Sequence, residues 1–209
     1  MIEADRARAV ALFGDRVSRE TWARLDRLVE RVIERQTVMN LVAASTIPHI
    51  WTRHVADSLQ LLDLAPAAKR WIDLGSGAGF PGLVIAAALG AKGEVHLVES
   101  NQKKARFLRE AARELALPAI VHASRIEDLV ADKPFDVVTA RALAPLDKLL
   151  GYANPLLKKG MVGLFPKGQD VGAELTQAAK SWKLDAELIP SKTDPHGRIV
   201  VVRQAIKYK

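Results

Sequence analysis

Apolar residues in the first third of the chain recur at helical spacing. Ser18 is placed to cap a segment in which Trp22, Leu25, Val29, Val32 and Ile33 fall on one face, and a shorter helix over Ala9–Phe13 precedes it. Another helix is predicted after Pro48, through Trp51, Val55, Leu59 and Leu62, ending at Pro66. From Arg70 the rhythm changes. Trp71–Leu74, Glu94–Glu99, Ala119–His122 and Phe135–Ala140 read as strands, with helices over Pro81–Leu89 and Asn101–Leu115; Met161–Phe165 and Arg198–Arg203 read as further strands. Short strands alternating with helices predict an α/β fold with a doubly wound, mostly parallel sheet, its last strand returning antiparallel at an edge. The lone Asn154-Pro155 reads as a turn. With no repeat, low-complexity tract or linker, the expected organisation is a single unit: a helical N-terminal extension, residues 1–69, packed on a core of residues 70–209.

The 209 residues are 49% hydrophobic and 26% charged, which suits one globular unit able to bury a sizeable core. The longest strongly apolar run, Leu83–Leu89, falls far short of the roughly 20 residues a membrane helix needs. The opening Met1-Ile-Glu-Ala-Asp-Arg6 is charged and lacks a signal-peptide core, so a cytoplasmic protein with no membrane partner is expected. There is no cysteine, which excludes disulfides, thiolate metal sites and a cysteine nucleophile. No metal set is expected either: His49 and His54 are five positions apart and lack a clear third ligand. The net charge of +7 is uneven. Residues 156–209 hold 10 basic and 5 acidic side chains and so supply +5 of it. Such a tail suits a polyanion, and equally a merely solvated basic face.

The most informative segment is Asp73-Leu-Gly75-Ser-Gly77-Ala-Gly79-Phe80-Pro-Gly82, lying where a strand ends and a helix begins. Open α/β sheets bind ligands there, and glycines let the backbone approach them. Dinucleotide sites favour G-x-G-x-x-G; here the third glycine comes one residue early and Phe80 holds the sixth position. With Asp73 in front, the segment resembles motif I of the class I, Rossmann-like methyltransferases, whose cofactor is S-adenosyl-L-methionine. Glu99 ends the second strand 24 residues after Gly75, where a carboxylate can take ribose hydroxyls of either cofactor.

Further blocks narrow the resemblance. They are Asn40-Leu-Val-Ala43, Trp51-Thr-Arg-His-Val-Ala-Asp-Ser-Leu59, the glycine loop, Val98-Glu-Ser-Asn-Gln-Lys-Lys104, Ser124-Arg-Ile-Glu-Asp128, Thr139-Ala-Arg-Ala142 and Phe165-Pro-Lys-Gly168. Together they are similar to the bacterial small-subunit rRNA guanine-N7 methyltransferase family, once called glucose-inhibited division protein B. The resemblance implies methyl transfer to one guanine in the decoding-region loop of 16S rRNA, with that RNA or the small ribosomal subunit as partner and no obligate protein partner. It places Asp73, Gly75, Gly77, Gly79, Phe80 and Glu99 at the cofactor, Ile126 and Glu127 at its adenine, and Arg141 beside the methyl donor. The family's usual S-R-A word stands here as Thr139-Ala-Arg141-Ala, with the arginine kept. Arg53, His54 and Asp57 read either as a wall of the active site or as a network pinning the third helix. Lys167 reads as a solvated lysine or as a phosphate contact.

Guanine N7 carries an in-plane lone pair and no proton, so its methylation calls for positioning and no general base. The missing cysteine argues against 5-methylpyrimidine chemistry, and no N-P-P-Y-like word follows the fourth strand. In this reading Arg141 and its neighbours orient the base while the basic C-terminal surface holds the RNA backbone. The alternatives are a class I methyltransferase acting on another RNA, a protein or a small molecule, a nicotinamide-dependent oxidoreductase, and a non-catalytic RNA-binding module.

Overall fold

Five short, mostly buried runs line up in parallel at the centre of the computed structural model, which describes residues 1–129 and 134–208. They are β1 (Arg70–Leu74), β2 (Glu94–Val98), β3 (Ala119–His122), β4 (Val137–Thr139) and β5 (Val162–Lys167). Two longer strands, β6 (Trp182–Pro190) and β7 (Arg198–Lys207), complete a seven-stranded sheet of order β3-β2-β1-β4-β5-β7-β6. Neighbours pair in parallel as far as β5, and β7 pairs antiparallel with both β5 and β6. The last strand is therefore antiparallel, as expected, but it does not lie at an edge: β6 takes that place. The chain leaves β1 for β2 and β3 on one side, then returns to β4 on the other. That reversal opens a crevice at the carboxyl ends of β1 and β4.

Successive strand residues face opposite sides, so two cores flank the sheet. Trp71, Val95, Leu97 and Val137 join a core with the N-terminal helices, whereas Ile72, Leu74, Val98 and Val138 join the second. The first core is covered by α1 (Ile2–Phe13), α2 (Arg19–Met39), α3 (Asp57–Leu64), α4 (Gly82–Leu89) and α5 (Gln102–Glu114). Ser18 Oγ accepts the Thr21 N–H at 3.1 Å and caps α2, whose Trp22, Leu25, Leu28, Val29 and Val32 are buried. Before α3 the chain forms a 3-10 turn over Ala44–His49 and one wide π-helical turn over Trp51–Ala56. The buried Asp5 carboxylate anchors that turn by accepting the N–H groups of Trp51 and Thr52 at 2.8 and 3.0 Å.

The second core is covered by α6 (Leu146–Leu157) and α7 (Val171–Ala178). Asn154-Pro155 lies inside α6, so the turn expected there is corrected. A proline inside a helix costs about 3 kcal/mol. Burial of Leu146, Leu149, Leu150, Leu156 and Leu157 along the same helix offsets it, at roughly 1.5–3 kcal/mol per side chain. No helix among the described residues is long and apolar enough to cross a membrane.

Candidate active site

The loop after β1 turns back on itself through three left-handed glycines, Gly75 (φ 70°), Gly77 (φ 54°) and Gly79 (φ 91°). Space is tight as well as strained. A Cβ on Gly75 would stand 2.6 Å from Leu143 Cδ1, and one on Gly82 would stand 2.1 Å from Leu97 Cδ2 and 2.8 Å from Asp73 Oδ2. The loop is sewn to β2, because the N–H groups of Gly75 and Ser76 both donate to the Val98 carbonyl, at 2.8 and 3.0 Å. Asp73 beneath it is fully buried; Oδ2 accepts the Gly82 N–H at 3.2 Å and Oδ1 has no partner. Burial pushes this carboxyl up to about 7. Glu99 holds the loop from the other side, accepting the Gly77 N–H on Oε2 at 2.9 Å and the Asn101 N–H on Oε1 at 2.7 Å. Each carboxylate oxygen keeps a lone pair for a ligand hydroxyl.

Arg141 follows β4 directly across the crevice. Its guanidinium donates to the Arg53 carbonyl at 2.8 Å and to His54 Nδ1, and stands 3.7 Å from Asp57 Oδ2 and 5.7 Å over the Phe80 ring. Its buried Nε has no acceptor. An arginine can only donate, so His54 Nδ1 must accept. The ring proton then sits on Nε2, 2.8 Å from Thr46 Oγ1. Burial, with Arg141 and Arg53 nearby, takes His54 down to about 3, so the imidazole is neutral. Burial raises Asp57, against the pull of Arg141, while Thr193 Oγ1 and Gln60 Nε2 donate to its Oδ1 at 2.9 and 2.7 Å. Burial likewise lowers Arg141, against Asp57 and Asp73, but an arginine stays cationic.

These groups line one cleft of about 940 Å³, within the range of cofactor sites. Gly75, Gly77, Phe80, Glu99, Ile126, Glu127, Arg141, Arg53, His54, Asp57 and Lys167 all line it, whereas Asp73 and Gly79 do not. Arg53, His54 and Asp57 line the cleft and meet Arg141 after β4. Lys167 is corrected from a solvated lysine. Its side chain is 9% exposed, and the ammonium donates to the Ala144 carbonyl at 2.8 Å and to Glu174 Oε2 at 2.7 Å. The loop between β6 and β7 escaped the sequence reading, yet it lines the cleft with Ser191, Thr193 and Asp194. Gln60, 2% exposed, pins that loop by accepting the Lys192 N–H at 2.9 Å, and Asp194 pairs with Arg53.

Residues 21–198 match the family model described as rRNA small subunit methyltransferase G. The chain belongs to that family. A ribosomal RNA small subunit methyltransferase G of Bradyrhizobium sp. strain BTAi1 is 57% identical over 206 residues, covering 97% of this chain and 92% of the relative. Its namesake from Methylobacterium sp. strain 4-46 is 51% identical, covering 96% and 95%. Solved structures share the fold at low identity. A SAM dependent methyltransferase from Aquifex aeolicus superposes with a TM-score of 0.56 at 16% identity, covering 74% of this chain and 92% of its own. The O-methyltransferase TomG from Streptomyces achromogenes, in complex with SAM, gives 0.60 at 16% identity, covering 96% and 97%. The fold is thus that of the class I S-adenosylmethionine-dependent methyltransferases, and the methyltransferase G blocks that are scattered along the sequence meet at this cleft.

Proposed function

We propose that this chain transfers a methyl group from S-adenosyl-L-methionine to N7 of a guanine in the decoding-region loop of 16S rRNA. The observation that supports this most is the meeting, at one cleft, of the glycine loop with Glu99 and of Arg141 with a neutral His54. The residues fit the cofactor: left-handed glycines expose backbone, Glu99 keeps acceptor capacity for ribose hydroxyls, and Ile126 with Glu127 borders the far end for an adenine. When bound, the cofactor supplies an electrophilic methyl group on a sulfonium. The attacking nitrogen has no proton to lose, so the protein's work is orientation, worth on the order of 7–11 kcal/mol when reactants are well aligned.

Arg141 is the orienting group. The Arg53 carbonyl and His54 Nδ1 fix its fork at the wall of the cleft. Neutral His54 adds no competing positive charge, and Phe80 gives a flat wall beside it. Residues 1–69 and 70–209 act as one unit in this reading, because Arg53, His54 and Asp57 of the first wall the cleft of the second. The reaction belongs in the cytoplasm, where ribosomal subunits are found.

Methyl-labelled S-adenosylmethionine, with small subunits that lack native methylation, tests the reading. Label on N7 of one decoding-loop guanine supports it; tight cofactor binding without incorporation refutes it. Arg141→Ala should lower turnover at least 100-fold while subunit binding changes little. Equal, mild losses in both would remove Arg141 from the role.

A further inference from the structure

Residues 156–209 supply +5 of the net +7, yet the fold sends most of this charge away from the cleft. β5 rises towards the cleft, so α6 and α7, which run the opposite way, end beside the amino ends of the parallel strands. β6 starts at that end and β7 finishes there. Trp182 pairs with Lys207, and the Tyr208 N–H donates to the Ser181 carbonyl at 2.9 Å. Lys158 and Lys159 directly follow α6, Lys180 follows α7, Lys183 lies on β6 and Lys207 on β7. All five are exposed, and none is in an ion pair among the described residues. Two carboxylates at that end are engaged, Asp136 by the N–H groups of Lys69 and Arg70 and Glu94 by Arg70 and His96, while Asp185 stands exposed on β6 two residues beyond Lys183. The cleft lining, in contrast, is nearly neutral, with six basic side chains facing five acidic ones. Most of the C-terminal charge therefore lies away from Arg141.

Lysines near helix C-termini offset the negative ends of the helix dipoles, which accounts for Lys158, Lys159 and Lys180. It does not account for Lys183 and Lys207 on strands, nor for Tyr208, which is 55% exposed among them. A basic surface with an exposed aromatic side chain is the chemistry that takes RNA phosphates and stacks an unpaired base. β5 has six residues, so about 20 Å of strand separates this end from the cleft.

We propose that this end of the molecule is a second RNA-docking surface, which holds the phosphate backbone of an rRNA segment distinct from the one entering the cleft. It rests on the reading of rRNA as the substrate. The enzyme then recognises a folded RNA or particle that presents two segments at a fixed separation, and an isolated loop can fill only one site.

The test is K158Q/K159Q/K180Q/K183Q, which removes charge without reversing it. Affinity for small subunits and for protein-free 16S rRNA is measured from 50 to 200 mM salt, alongside kcat, KM, cofactor affinity and melting temperature. Losing four phosphate contacts should lower the slope of log affinity against log salt by about 3 to 4, so that the wild-type advantage shrinks about 100-fold across that range. KM rises, while kcat at saturation and cofactor affinity stay unchanged. Tyr208→Ser should weaken rRNA binding by about 5- to 100-fold through lost stacking. An unchanged salt slope and KM would overturn the proposal. So would parallel losses of cofactor affinity and melting temperature, which would mark a structural role. Weakened binding to subunits with unchanged affinity for protein-free rRNA would overturn it in favour of an acidic protein partner. Binding is read without methyl transfer, so failure of the guanine-N7 reading shows separately as absent label.

Discussion

Asp73→Asn separates what the fold would prefer from what the site keeps. The carboxyl is fully buried, with one oxygen bonded to the Gly82 N–H and the other without a partner. Its rise from an ordinary 3.8 to about 7 means that the folded protein resists its ionisation. For a carboxyl raised on folding, the stability penalty is absent below pH 3.8, grows as pH rises towards 7 and is complete above that. At 1.36 kcal/mol for each pKa unit, the ionised group costs about 4 kcal/mol at pH 8. Asparagine keeps the acceptor for Gly82 but buries an amide N–H where Oδ1 has no donor, at about 1–3 kcal/mol. The variant should then be more stable than wild type by about 1–3 kcal/mol at pH 8, or roughly 3–9 °C in melting temperature for a chain of this size. At pH 4.5 wild-type Asp73 is protonated, and the advantage should vanish or reverse. His54 contributes with the opposite sign, since stability is lost as pH falls from 6.5 towards 3, but it is present in both proteins and cancels in the difference. Paired melting curves from pH 4.5 to 8 make the measurement. A melting difference that does not change with pH would refute the reasoning.

Other outcomes follow from the same geometry. Glu99→Ala removes the acceptor for the Gly77 and Asn101 N–H groups and should weaken cofactor binding at least 10-fold, read by calorimetry; unchanged affinity would remove Glu99 from the site. Gly82→Ala forces a Cβ against Leu97 and Asp73 and should cost about 1–3 kcal/mol, whereas Gly151→Ala, at an exposed position of α6 with nothing within 4 Å, should gain about 0.5–1 kcal/mol in denaturant unfolding. Nitrogen NMR of the imidazoles should find His54 neutral and protonated on Nε2 from pH 5 to 8. A charged ring at pH 5 would break the account of the Arg141 pair.

What could be read along the chain was whatever its neighbours in sequence decide. The glycine loop, its preceding acid and Glu99 lie at the ends of adjacent strands, so the α/β alternation alone brings them together. Arg141 and His54 meet across 87 positions, and Asp57 reaches Thr193 across 136, which no local periodicity encodes. Trp182, Leu184, Ala186 and Leu188 do alternate, but Lys183, Asp185 and Glu187 between them and an exposed face make β6 look like a polar loop. The basic tail was visible as charge. Its direction was not, because that depends on α6 and α7 carrying the chain to the far end of the sheet.

The placement of β7 between β5 and β6 has a consequence for vectorial synthesis. A nascent chain that has emerged only as far as Pro190 contains six strand segments, but the sixth has no neighbour to bond to, since β6 pairs with β7 alone. Thr193 and Asp194, which brace Asp57 and Arg53, and Ser191, which accepts from Gln60, belong to the connection between those two strands. The cleft is therefore closed on that side only after β7 has left the ribosome and the hairpin has docked on β5, so the competent enzyme is assembled last at the very wall that steadies Arg141.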